Sequence, residues 1–190
     1  MIGGTHFGGN IMRILIAALV AGIAMFVWSS FAHVATPLGR IGVNTLPDES
    51  VTVGNLASAI GDKSGLYLFP MTTGESPSTS AAVAPAGFLV FNAKERITMS
   101  PKTLVVEFLT ELAECLIAAW LLAQTALASY AARVGFVTVV GLVAAVTTNI
   151  PYFNWYHFPL DYTLAYGFIE WVGYAVAGLV LAAMLKPQTS

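Results

Sequence analysis

The stretch Ser100 to Leu127, SPKTLVVEFLTELAECLIAAWLLAQTAL, is long enough to cross a bilayer and yet carries three carboxylates, Glu107, Glu111 and Glu114. Ser100 can cap free backbone N–H groups, and Pro101 stands at the first helical position, where its missing N–H costs nothing, so a helix is predicted to begin here. At a helical period Leu104, Glu107, Glu111, Glu114, Ala118 and Thr125 share one face, with Cys115 at its edge. Val105, Leu109, Leu112, Leu116 and Trp120 occupy the other. The bulky apolar face is predicted to meet lipid or a partner subunit, and the face of acids and small residues to meet other helices.

Composition supports a membrane setting. Of 190 residues 57% are hydrophobic and 9% charged, where a soluble domain is about a quarter charged. The reading is an all-α membrane protein, a bundle of four transmembrane helices with a small α+β extramembrane insertion between helices 1 and 2. Four of the ten acidic residues, Glu107, Glu111, Glu114 and Glu170, fall inside apolar segments. No basic run points to nucleic acid as a partner. Cys115 is the only cysteine, which excludes an intrachain disulfide; it reads as a small buried residue.

Residues 1–12 are glycine-rich and without periodicity, and are expected to be flexible. Residues 13–35 form the first predicted span; a signal peptide with Arg13 as its basic end is the rival reading, and an uncleaved span is preferred. Residues 36–99 are the one sizeable polar region. Within it 48–60 reads as a short amphipathic helix with Val53, Leu56 and Ile60 inward. GLYLFP (65–70) and GFLVFN (87–92) are β-favouring and predicted to pair as a two-stranded ribbon, with a mobile tip between them. The remaining spans are predicted at 100–127, 134–150 and 162–185, followed by a tail at 186–190. Pro151 is expected to end the third span, and the aromatic connector 151–159 to lie at headgroup level. Gly22, Gly167, Gly173 and Ala177 mark faces on which helices pack closely.

Arg13, Arg133 and Lys186 flank the spans on one side, and the 151–159 connector on the other has no Lys or Arg. The positive-inside rule then places both termini in the cytoplasm and the 36–99 insertion outside. With that topology the polar groups gather in the outer half: Ser29, Ser30 and His33 of the first span, Glu107, Glu111 and Glu114 of the second, Thr147, Thr148 and Asn149 of the third, and Glu170 of the fourth. The inner halves are almost wholly apolar, which argues against a continuous polar pore.

Glu107 near a helix N-terminus is explained by the headgroups and the helix dipole. Glu114 and Glu170 are not, because a charge at such depth costs at least ~2.5 kcal/mol. They are expected to be protonated, paired or ligating, and Glu107, Glu111, Glu114 and Glu170 with His33 form the candidate buried polar site. A carboxylate-bridged metal site using these acids with His33 or His157 is the sharpest alternative, but the Glu-x-x-His pairs of di-metal bundles are missing. No cofactor is indicated, and there is no nucleophile elbow, phosphate loop, zincin motif or haem-attachment motif.

At PLGRIG (37–42), LPDE (46–49), GLYLFP (65–70), PAGFLVF (85–91) and PYFNWYHFP (151–159) the chain resembles small uncharacterised bacterial inner-membrane proteins with four hydrophobic segments. The resemblance implies that topology and a bacterial inner membrane, and no activity. The expected function is a non-catalytic accessory or interaction subunit of a larger membrane assembly, with the bilayer and other membrane subunits as partners. A small outer-facing enzyme or binding protein using the carboxylates is second, and a proton-coupled carrier third.

Overall fold

The computed structural model describes residues 5–70, 85–95 and 98–185. The chain forms two compact units, Met1–Gly42 with Met99–Ser190, and Val43–Thr98. The expected tip between the strands, Lys186 and the tail after it lie outside the described residues. In order, the elements are α1 (Thr5–Val34), a 3-10 turn (Pro37–Arg40), α2 (Glu49–Ile60), β1 (Gly65–Phe69), β2 (Gly87–Phe91), α3 (Pro101–Ala123), α4 (Tyr130–Tyr156) and α5 (Leu160–Met184).

The protein is mostly helical with a small two-stranded sheet. Among the described residues three helices are long and apolar enough to cross a membrane, over Ile11–Val34, Tyr130–Tyr156 and Leu160–Met184. Helix α3, expected as a fourth, falls outside this set because its 23 residues carry Glu107, Glu111 and Glu114 as well as Lys102.

In the smaller unit β1 and β2 pair antiparallel as expected, with Tyr67 opposite Leu89 and Gly65 opposite Phe91. Gly87 lies so close to the Phe69 ring that a side chain there would collide with it. Just past β2, the Asn92 carboxamide oxygen accepts from the N–H groups of Lys94 (3.1 Å) and Glu95 (3.2 Å), turning the chain. Helix α2 has no buried residue; Leu56 and Ile60 are half-buried, while Val53, expected inward, is exposed.

In the larger unit α1 packs broadly on α3 and α5, and α5 on α4, while α3 touches α4 and α5 only narrowly. The buried seam is built of small residues, Ala17, Ala18 and Ala21 of α1, Cys115, Ala118 and Ala119 of α3, and Ala177 of α5, with Met25, Val137, Tyr174 and Leu181 filling between them. Small side chains let backbones approach, which is how helices associate where lipid removes the hydrophobic incentive.

Helix limits differ from expectation in α1, α3 and α4, the last of which also starts at Tyr130, four residues before the expected 134. Helix α1 begins at Thr5, inside the glycine-rich stretch expected to be flexible. Helix α3 stops at Ala123, four residues early, because its last carbonyls are taken by tight bonds: Gln124 N–H donates to Leu121 O (3.0 Å), and Thr125 reaches Leu122 O with both its N–H (3.1 Å) and its hydroxyl (2.8 Å). Helix α4 runs through Pro151 to Tyr156. A proline removes one ladder bond but need not end a membrane helix. Its stop comes instead at His157, in the left-handed region (φ 55°), with Phe158 N–H bonding back to Tyr152 O (3.3 Å).

Candidate functional site

The acidic face of α3 does not turn as one surface toward the bundle. Its three carboxylates have three different surroundings. Glu107 is exposed, Glu111 is buried at 4% exposure, and Glu114 is half-buried. Spacings of four and then three residues fan the acids around the helix axis, so one meets α1, one meets α5 and the first lies beyond the packed seam.

Glu111 faces α1. The Ser29 hydroxyl donates to Glu111 Oε1 at 2.5 Å. Its other oxygen, Oε2, is sealed from solvent and has no hydrogen-bond partner among the described residues. Such an orphaned buried polar atom carries a desolvation cost of about 1–3 kcal/mol. At the residue after Glu111 the two helices approach closely, a Cβ at Gly22 lying 3.2 Å from Leu112 Cα. That contact corrects the expectation that Leu112 and Leu116 face outward: both are half-buried, whereas Leu109 and Trp120 are exposed as expected. The helix α1 docks on the boundary between the two predicted faces of α3, and so covers residues from each.

Glu114 faces α5, where it interacts with Glu170 and with the Tyr174 side chain. Glu170 Oε2 in turn accepts from Asn149 Nδ2 at 3.0 Å, and the same amide nitrogen donates to Ala145 O (2.9 Å) within α4. Thr148 also interacts with Glu170. A polar chain thus runs from α3 through α5 to α4. No Lys or Arg lies in α5, or in the turns of α1, α3 and α4 that carry Ser29, Glu111 to Cys115, and Asn149. Any charge on these acids is therefore not offset by a cation of the same turns.

His33 does not join the carboxylates. Its Nδ1 bonds to Ser29 O (2.9 Å) in its own helix, and its ring stands edge-on to Tyr166 at 5.3 Å. His157 is the left-handed residue that ends α4. Among the described residues no group of three His, Cys, Asp or Glu is placed to hold a metal ion. The carboxylates with His33 or His157 accordingly do not assemble into the metal centre weighed from the sequence.

The expected packing positions differ in tightness. A Cβ at Gly173 would meet Met25 Cε at 3.3 Å and Trp28 Cδ1 at 3.5 Å, and Ala177 is fully buried. Gly167 has only Asn149 Nδ2 at 3.9 Å. Tighter contacts fall at positions the periodicity did not single out: Gly141 against Tyr174, and Gly178 against Val134 O and Val137 Cβ, both at 3.2 Å.

Sequence reasoning also missed Trp28, whose indole N–H donates to Ile169 O at 2.8 Å and ties α1 to α5 beside the acids. It missed Tyr174 as well, although that residue follows Glu170 by four and so shares its face. The PLGRIG segment has a role as a strap. Its Gly39 lies against His33, Gly42 (φ 74°) against Tyr162, and Gly39 O accepts from the Tyr166 hydroxyl (3.2 Å). From there ring contacts continue from α5 to the end of α4: Tyr166 stacks on Tyr162 at 4.1 Å, Tyr162 meets Phe158 edge-on at 5.5 Å, and Phe158 meets Tyr152 at a tilt at 5.2 Å. Against this arrangement stand the comparisons with other proteins: no family model, no curated protein and no solved structure matches the chain.

Proposed function

We propose that the chain is a non-catalytic interaction subunit of a larger membrane assembly, and that α3 crosses the bilayer as a fourth span at the contact with its partner. The observation that carries this reading is the exposed perimeter of α3. The helix is backed broadly by α1 alone, and it presents Glu107 together with Leu109, Ile117 and Trp120 outward, the tryptophan at 57% exposure. A helix with three carboxylates is a poor span when much of its circumference is left to lipid. A second membrane chain laid along α3 would cover the apolar ridge.

Under this reading the termini are cytoplasmic in a bacterial inner membrane and the smaller unit is periplasmic; the position of Arg13 and Arg133 at the same end of the larger unit supports that orientation. Purification in a gentle detergent followed by mass spectrometry tests it. A partner chain is expected to co-purify with the parent protein and to be lost from Leu109→Ser and Trp120→Ala variants, whose own fold should survive because both side chains are exposed. A chain that purifies alone, or variants that keep the partner, overturn the proposal.

One observation favours a second reading. The buried, unpartnered Glu111 Oε2 is what a small hydrogen-bond donor would seek, so a binding protein using the carboxylates is the alternative. A ligand retained by the isolated chain and lost in Glu111→Gln, with no partner chain present, would select it.

A further inference from the structure

The opposite end of the larger unit carries a second charged group that the proposed subunit role does not use. Arg13 of α1 and Arg133 in the first turn of α4 converge there, close enough for Arg13 to act electrostatically on Arg133. Arg13 Nε donates to Met184 O at 2.8 Å, on the last residue of α5. Arg133 is buried at 5% exposure, and its side chain makes no hydrogen bond or ion pair with any described residue. Its guanidinium nitrogens are not among the sealed, unpartnered side-chain atoms, of which Glu111 Oε2 is the one found among the described residues. Tyr130, three residues before Arg133, donates its hydroxyl to Leu179 O (3.0 Å) and closes α4 onto α5 beside the pair.

Among the described residues of the larger unit no acidic side chain answers these two cations. Asp and Glu are absent from residues 1–47, 115–160 and 171–190, which include the segments that build this end. Two like charges, one of them buried, held side by side without a counter-charge cost free energy unless an outside anion joins them. Among the described residues the three helices apolar enough to cross a membrane begin or end here, at Ile11, Tyr130 and Met184, so in a bilayer the pair would stand near the headgroups. The planar fork of a guanidinium matches a phosphate in two-point hydrogen bonding.

We infer that Arg13 and Arg133 form a binding site for the phosphodiester of an anionic lipid headgroup, seated where α1, α4 and α5 meet at this end of the larger unit. The acyl chains would lie along exposed apolar residues of the adjoining turns, such as Met12, Leu15 and Ile16 of α1.

The test uses the full chain in nanodiscs of zwitterionic lipid with and without about one fifth phosphatidylglycerol, an amount chosen to give a surface charge typical of such membranes. Lipid carried through detergent extraction is then counted by native mass spectrometry. Phosphatidylglycerol is expected to be retained in preference to phosphatidylcholine, and Arg133→Gln to cut that retention about tenfold, the effect of losing one charge-assisted contact. Arg133→Lys, which keeps the charge but not the fork, should fall between and guards against a variant that merely misfolds. A parent protein that holds both lipids equally overturns the inference, whatever the variants do. Stabilisation by inorganic phosphate in lipid-free detergent, equal to that given by phosphatidylglycerol, would also overturn it in favour of a free-phosphate site.

Discussion

Gly141 offers the sharpest test of how the polar site is held, because the same helix supplies its own control. A Cβ built at Gly141 would collide with Tyr174 Cβ and stand 2.6 Å from its Cγ, whereas a Cβ at Gly135, less than two turns away on α4, meets nothing within 4 Å. Tyr174 cannot rotate away, since its Cβ is fixed by the α5 backbone. Ordinary carbon contacts lie near ~3.5–4 Å, so Gly141→Ala must drive α4 and α5 apart by more than ~1 Å along their broad seam. Both alanines gain the same helix propensity, about 0.5–1 kcal/mol, and that gain cancels in the comparison. What remains is the overpacking cost of about 1–3 kcal/mol at position 141.

The chain carries its own reporter for this measurement. Cys115 is the only cysteine and is buried between α3 and α1, so a thiol-reactive fluorophore labels it only as the bundle opens on heating in detergent. At roughly 2–4 °C per kcal/mol for a chain of this size, Gly141→Ala should open at least ~2 °C below Gly135→Ala. Because Tyr174 also touches Glu114, the shift should come with weakened attachment of α3. If the two variants open at the same temperature, the close approach of α4 to α5 does not exist as described and the placement of Tyr174 against Glu114 loses its support.

Ser29→Ala removes the only described partner of Glu111 Oε1 and should destabilise the bundle by about 1–3 kcal/mol, read by the same labelling assay. In a Glu111→Leu background the same change should cost little, and an unchanged cost there would show that the bond contributes nothing. For the topology, thiols introduced at the exposed Ser58 of α2 and the exposed Ala128 between α3 and α4 should respond oppositely to a membrane-impermeant reagent in intact cells. Labelling at Ser58 with protection at Ala128 fits cytoplasmic termini, and the reverse pattern inverts the orientation.

Local chemistry decided much of this protein before any tertiary contact. The Ser100–Pro101 start of α3 forms as expected, with Thr103 N–H donating to Ser100 Oγ at 3.2 Å and Ser100 N–H to Thr103 Oγ1 at 2.9 Å, because capping involves only neighbours in sequence. The β1–β2 pair is likewise legible, since short leucine- and aromatic-rich runs, each opened by a glycine and closed by Pro70 or Asn92, favour extended pairing.

Tertiary structure decided what period cannot express, namely which neighbour each side of a helix meets. A helical wheel groups Glu107, Glu111 and Glu114 on one face, but α1 and α5 approach that face from different directions and separate the acids onto Ser29 and onto Tyr174 with Glu170. Leu112 was drawn inward for the same reason, by Gly22 on the facing helix. The strap from Pro37 to Gly42 depends on His33, Tyr162 and Tyr166, two of them more than a hundred residues away, so no local reading of PLGRIG reveals it. Packing of this kind is set by the shapes of two surfaces at once, and a single sequence presents them one at a time.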